Sequence, residues 1–230
     1  MKPDMKKEHK DLRNAFILNF LAVVLGIIIT FGGNAIIERN KEVRNLNSCL
    51  ELVSSELKED LKWIDYGDSL LGRQVEAADF LARYENDYSK APADSLRMMA
   101  NEPLFICELS FYTDAFELLK NSGVLAKIDD QELALEIFQA YGHMRDYLTF
   151  FKMFHEHKKQ YLEPAMNAKV TDLLAKDEFG AGELWSLISS SKEGKQFLRE
   201  IQRFLYMYND SETIASIKST IDRIDAYIGR

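Results

Sequence analysis

From Ala15 to Ile37 the chain carries no charged side chain, and nearly every residue in that stretch is apolar. A bilayer core of about 30 Å needs about 20 helical residues to cross it, so this stretch is long enough to be a transmembrane helix. A chain containing such a segment must either bury it or place it in lipid. The rest of the sequence is helical in pattern, acidic and rich in charge, and does not invite the first solution. The fold expected is therefore all-α, with an N-terminal transmembrane helix continuous with a long helix of an extracytoplasmic bundle. The expected divisions are a basic cytoplasmic tail over 1–14, the anchor over 15–37 and a helical domain over 38–230.

Charge is distributed to match. The tail holds Lys2, Lys6, Lys7, Lys10 and Arg13 against Asp4, Glu8 and Asp11, a balance of +2, which leaves −10 on the remainder of a chain whose net charge is −8. Five basic residues precede the apolar stretch, and Arg39, Lys41 and Arg44 follow it closely. The positive-inside bias thus places the tail in the cytoplasm and the domain outside. An acidic ectodomain is a poor partner for nucleic acid, whose binding rests on neutralised phosphates. Gly33 and Ala35 would suit the −3 and −1 positions of a cleavage site. Against cleavage, the apolar run continues into Ile36 and Ile37 and passes directly into helix-forming sequence.

Within the stretch, Ala15, Asn19, Ala22, Gly26, Thr30 and Gly33 recur at steps of three and four. They fall within about 80° of arc at 100° per residue. Small residues on one stripe let helix backbones approach closely, so a helix-association site is expected there, most simply with a second copy.

Downstream, Leu46, Leu50, Val53, Leu57, Leu61 and Ile64 form one apolar stripe, which Leu71, Val75, Ala78, Leu81 and Tyr84 resume beyond Gly67 and Gly72. Ser89–Pro103, with Pro92 and Pro103 near its ends, reads as a loop or hinge, and Pro92–Pro103 as the most protease-sensitive stretch. A short helix around Ala115–Leu119 should close at Gly123 in a left-handed turn, with Val124 as its apolar contact. Asp129, with Glu132 three residues on, suits a capping box for the next helix. That helix, marked by Leu133, Leu135, Ile137, Phe138, Tyr141, Met144, Leu148, Phe151 and Phe154, should stop or kink near Pro164. One last long helix is expected from Phe197 through Ile228.

The run Val23-Val24-Leu25-Gly26-Ile27-Ile28-Ile29, followed by Asn34, Glu38 and Lys41, resembles the anchor of a family of uncharacterised bacterial membrane proteins, a domain of unknown function. Asp114-Ala115-Phe116-Glu117-Leu118-Leu119-Lys120-Asn121-Ser122-Gly123, with Ile128, Leu133 and Tyr141, is similar to a helix pair of the same family. Ala35-Ile36-Ile37 stands where that family commonly has a Trp-containing junction. The resemblance implies a single-pass anchor bearing a helical domain, and it transfers no activity.

No catalytic residue, cofactor site or metal site is expected. His155 and His157 flank Glu156, but residues two apart on a helix point about 200° apart and cannot share one ion unaided; a solvated polar face is the expectation. Cys49 and Cys107 could form one disulfide or remain separate packed thiols. Trp63 and Trp185 read as packing residues, and Asp129-Asp130 as capping rather than a catalytic dyad. Three classes of function fit: an interaction or scaffold module of the cell envelope, a ligand-sensing domain acting through a partner because the cytoplasmic tail holds no output domain, and an enzyme of unrecognised type. The first is the reading adopted.

Overall fold

A computed structural model describes the backbone of residues 5–176, 178–205 and 211–229, with side chains at all of these except 5–20, 27–36, 205 and 211. Every regular element among the described residues is helical. The first helix, α1, runs unbroken from Met5 to Arg83. The helix continues through Gly67 and Gly72 without a break. Leu46, Leu50, Val53, Leu57, Leu61, Ile64, Leu71, Ala78 and Leu81 are all buried, as their spacing predicts. Among the described residues no helix is long and apolar enough to cross a membrane. Of the stretch 15–37, only the side chains of residues 21–26 and Ile37 are among those described.

The bundle is built by α1, α4 (Gln131–Ala165), α7 (Lys192–Leu205) and α8 (Ser211–Ile228). Side-chain pairs fix their directions. Glu56 meets Tyr141, Asp68 meets Tyr147 and Gln74 meets Lys158, so α1 and α4 run parallel. Asp79 meets Gln202 and Glu85 meets Arg199, while Lys58 meets Asp225, so α7 and α8 run antiparallel to α1 and cover successive parts of it. The long last helix expected from the sequence is described as these two helices, with residues 206–210 outside the described residues. Phe197, Leu198, Ile201, Ile217, Ile221 and Ile224 fill the core between α1 and α4.

The Ser89–Pro103 hinge is not found. That segment forms a 3-10 turn (Tyr88–Lys90), helix α2 (Ala93–Met99) and a second 3-10 turn (Glu102–Leu104). With α5 (Ala168–Leu174) and α6 (Ala181–Ile188) it caps the end of the bundle where α1 stops. Two buried polar contacts lock it: Trp185 Nε1 donates to the Ala100 carbonyl at 2.9 Å, and the Tyr88 and Ser189 hydroxyls meet at 2.8 Å. The prolines mark helix starts here, since proline at a first turn removes an N–H that has no partner anyway.

Capping follows the sequence more closely. Helix α3 (Asp114–Asn121) ends at Ser122, and Gly123 follows in the left-handed region at φ +71°, with Val124 buried beside it. Asp130, one residue later than expected, caps α4 by accepting from the Leu133 N–H at 3.0 Å. Asp129 instead accepts from the Tyr227 hydroxyl at 2.7 Å. Pro164 sits in the last turn of α4, which ends at Ala165 as expected. Leu135 and Phe138, read as part of the α4 stripe, are exposed, and so is Trp63 at 43%. Each lies outside the arc that α7 and α8 cover.

Candidate functional site

Between Leu104 and Asp114 the chain has no helix, and residues 105–113 form a strap over the seam where α1 and α4 meet. It is extended. The Phe105 end is held beside Gln74 and the Tyr112 end beside Asp60, fourteen residues apart on α1. At 1.5 Å per helical residue that separation is about 21 Å. Seven strap residues cover it, at about 3 Å each, close to the rise of a β-strand.

Both ends are pinned by buried polar groups. The Phe105 carbonyl accepts from Lys158 Nζ at 2.5 Å and from Gln74 Nε2 at 3.0 Å, and Lys158 also donates to Gln74 Oε1 at 2.7 Å. Lys158 is 1% exposed. Burial pulls its ammonium down to about 7, opposed by the nearby Cys107 and Glu102. At the other end, Asp60 Oδ1 accepts from the Tyr112 N–H at 3.1 Å, while Oδ2 has no partner. Asp60 is fully buried, and desolvation lifts it to about 7 against the lowering effect of the Tyr112 N–H, with Glu56 and Glu59 adding to the rise.

One turn below, Glu56 takes over the N-terminus of α3. Thr113 makes no side-chain cap there; Glu56 accepts instead from the Ala115 N–H at 2.9 Å and the Phe116 N–H at 3.4 Å. The Tyr141 hydroxyl donates to the same carboxylate at 2.5 Å, and the Tyr141 ring stacks on Phe116 at 4.1 Å. A carboxylate from a different helix thus supplies the cap and complements the positive end of the helix dipole. Glu56→Ala should cost about 2 kcal/mol in thermal unfolding, by leaving these donors short of a partner.

Beside the strap lies a groove of about 310 Å³, lined by Ile106, Cys107 and Leu109 of the strap and by Phe151, His155 and Lys159 of α4, among others. His155 is 4% exposed and neither ring nitrogen has a hydrogen-bond partner. Burial first, then Lys158 and Lys159, lower its imidazole to about 4, so it stays neutral near pH 7. Its ring edges meet Phe151 and Phe154 at 4.7 and 5.2 Å between centroids. The expectation of a solvated histidine face is therefore corrected at His155, whose neighbours are aromatic. His157 points elsewhere and pairs with Glu200 at 3.1 Å. Among the described residues no three His, Cys, Asp or Glu side chains gather in a way that could hold a metal ion.

Cys49 and Cys107 are both free thiols. Cys107 lies on the strap near Lys158, whose partner Gln74 is twenty-five residues above Cys49 on the same helix. That is about 37 Å, far beyond disulfide reach. Of the small-residue stripe, Ala22 and Gly26 are exposed. The side chains of Ala15, Asn19, Thr30 and Gly33 lie outside the described residues.

The strap left only a faint trace in the sequence. Cys107, Leu109 and Phe111 are half-buried and alternate with exposed Glu108, Ser110 and Tyr112. This period of two is too short to stand out in a chain dominated by helical periodicity. No family model, no curated protein and no solved structure matches the chain.

An extended backbone is what a protease binds. Chymotrypsin should therefore cut first near Phe105, Phe111 or Tyr112 rather than within α2, where Leu96 is buried. Peptide mapping of the earliest fragments checks this, and a first cut within 92–100 would contradict it.

Proposed function

We propose that this protein is a non-enzymatic, membrane-anchored helical interaction module of the bacterial cell envelope. The residues about 15–37 cross the inner membrane once, the N-terminus lies in the cytoplasm, and the domain from residue 38 is extracytoplasmic. The observation that carries the reading is the length of α1. Its 79 residues span about 120 Å. Bundle packing begins only at Leu46. Below that point Leu21, Val23, Leu25 and Ile37 are exposed, with no part of the described chain to cover them. Lipid is the cover proposed, in line with the absence of charge between Ala15 and Ile37 and with the resemblance to a family of single-pass proteins. The stripe Ala15, Asn19, Ala22, Gly26, Thr30 and Gly33 adds association with a second copy inside the membrane.

The buried polar groups of the seam serve structure in this reading. Lys158, Gln74, Asp60 and Glu56 each hold the strap or α3 by a hydrogen bond. The groove beside the strap favours, as a second reading, a ligand-sensing domain that acts through a partner.

A reporter active only in the cytoplasm, fused after Arg230, should be silent, and a bright signal would reverse the topology. Purification of the full chain in mild detergent should bring down a protein partner in fixed proportion. Isolation of the chain alone would remove the interaction reading, and a retained small molecule would favour the sensor.

A further inference from the structure

The strap is a strand without a sheet. Among the described residues, no backbone N–H or carbonyl from Ile106 to Phe111 has a hydrogen-bond partner within the chain. A row of unpaired backbone groups in extended chain is a template for another strand. Two features separate this row from an ordinary loop. Its ends are tied to buried side chains, Phe105 by Lys158 and Gln74 and Tyr112 by Asp60, so the extended form is already organised before anything binds. Its flank is a groove of about 310 Å³ between the strap and α4, whose walls include Leu109, Leu148 and Phe151.

We propose that the strap is a docking edge for an extended peptide segment of a partner protein. The segment adds as a second strand along Ile106–Phe111 and sets an apolar side chain into the groove against Leu148 and Phe151. Main-chain hydrogen bonds supply affinity in this mode, and alternate side chains supply selectivity. Because the strap is pinned in advance, little ordering cost falls on this side of the interface. A second copy of the chain is the weaker occupant: two copies anchored in one membrane would bring their straps together in parallel, the less stable pairing. The proposal rests on the reading of the chain as an interaction module and names the kind of partner it takes.

The test uses the full chain in detergent and the acetylated, amidated peptide Thr-Val-Thr-Val-Thr, whose side chains alternate as a strand requires. Amide hydrogen exchange is followed with and without the peptide. Exchange at alternate amides between Ile106 and Phe111, those on the edge the peptide joins, should slow by at least about tenfold at saturation, as expected for newly bonded amides. The same peptide N-methylated at every amide keeps its side chains but cannot donate, and should leave exchange unchanged. No slowing at saturation overturns the proposal, as does equal slowing by the methylated peptide. Protection confined to α4 also overturns it, because the groove would then be filled without strand addition. Any of these failures leaves the interaction reading standing on the co-purification result, which uses no peptide.

Discussion

Gly67→Ala should destabilise the protein by about 3 kcal/mol, whereas Gly72→Ala, five residues further along the same helix, should stabilise it by about 0.5–1 kcal/mol. Both changes replace glycine by the best helix former, and both positions lie in the unbroken α1. They differ in what stands opposite. A Cβ at Gly67 would lie 2.3 Å from the Tyr147 hydroxyl and 2.9 Å from Leu109 Cδ1 of the strap. Tyr147 is fully buried and cannot swing clear. Its hydroxyl donates to Asp68 Oδ1 at 2.8 Å and approaches the Ile64 carbonyl at 3.2 Å, so displacing it breaks polar contacts inside the seam as well as apolar packing. A Cβ at Gly72 meets nothing within 4 Å, and only the backbone entropy gain remains. Thermal unfolding followed by circular dichroism should show a fall of about 10 °C for the first variant and a small rise for the second. Equal stability of Gly67→Ala and the parent would show that the seam is looser than this packing requires.

Asp60→Asn should gain on the parent by up to about 4 kcal/mol as pH rises from 4 to 8. The sign follows from which state holds the proton. In the unfolded chain Asp60 ionises near its ordinary value of 3.8, while in the folded protein it keeps its proton until about pH 7. Between these values the unfolded state binds fewer protons, so the Asp60 contribution to stability falls as pH rises through that window and is constant above it. Below pH 4 both states are protonated and the contribution vanishes. An amide cannot ionise, so the variant escapes the fall while Oδ1 still accepts from the Tyr112 N–H. His155 acts in the opposite direction over part of the same range. It is neutral in the folded protein down to about pH 4 but protonated in the unfolded chain below its ordinary 6.5. The difference between parent and variant cancels that contribution and isolates Asp60. Chemical unfolding at a series of pH values measures it, and parallel stability curves would show that the folded carboxyl titrates normally.

Much of the bundle could be read directly because helices repeat. Leu46 to Ile64 recur at three and four, and Ile137, Tyr141, Met144, Phe151 and Phe154 at three, four and seven; each set fixes a buried face without knowledge of its neighbour. Gly123 was legible for a different reason: glycine after a helix end answers a local need for positive φ. The Pro92–Pro103 segment misled because proline is equally at home in a loop and at the start of a short helix. Only the contact of Trp185 with Ala100, 85 residues apart, separates the two. Trp63 misled because an aromatic residue usually packs inward, whereas among the described residues its side chain is exposed.

The sequence by itself determined the helical class, the faces of α1 and α4, the turn at Gly123 and the one uncharged stretch long enough for a bilayer. All of these follow from spacing along the chain. Only the tertiary structure decided the seam: that Glu56 caps a helix 59 residues away, that Lys158 and Asp60 hold the two ends of an extended strap, and that Gly67 must lack a side chain. Those roles depend on which surfaces meet across the bundle, and a buried carboxylate or lysine has the same letter in the sequence as a solvated one.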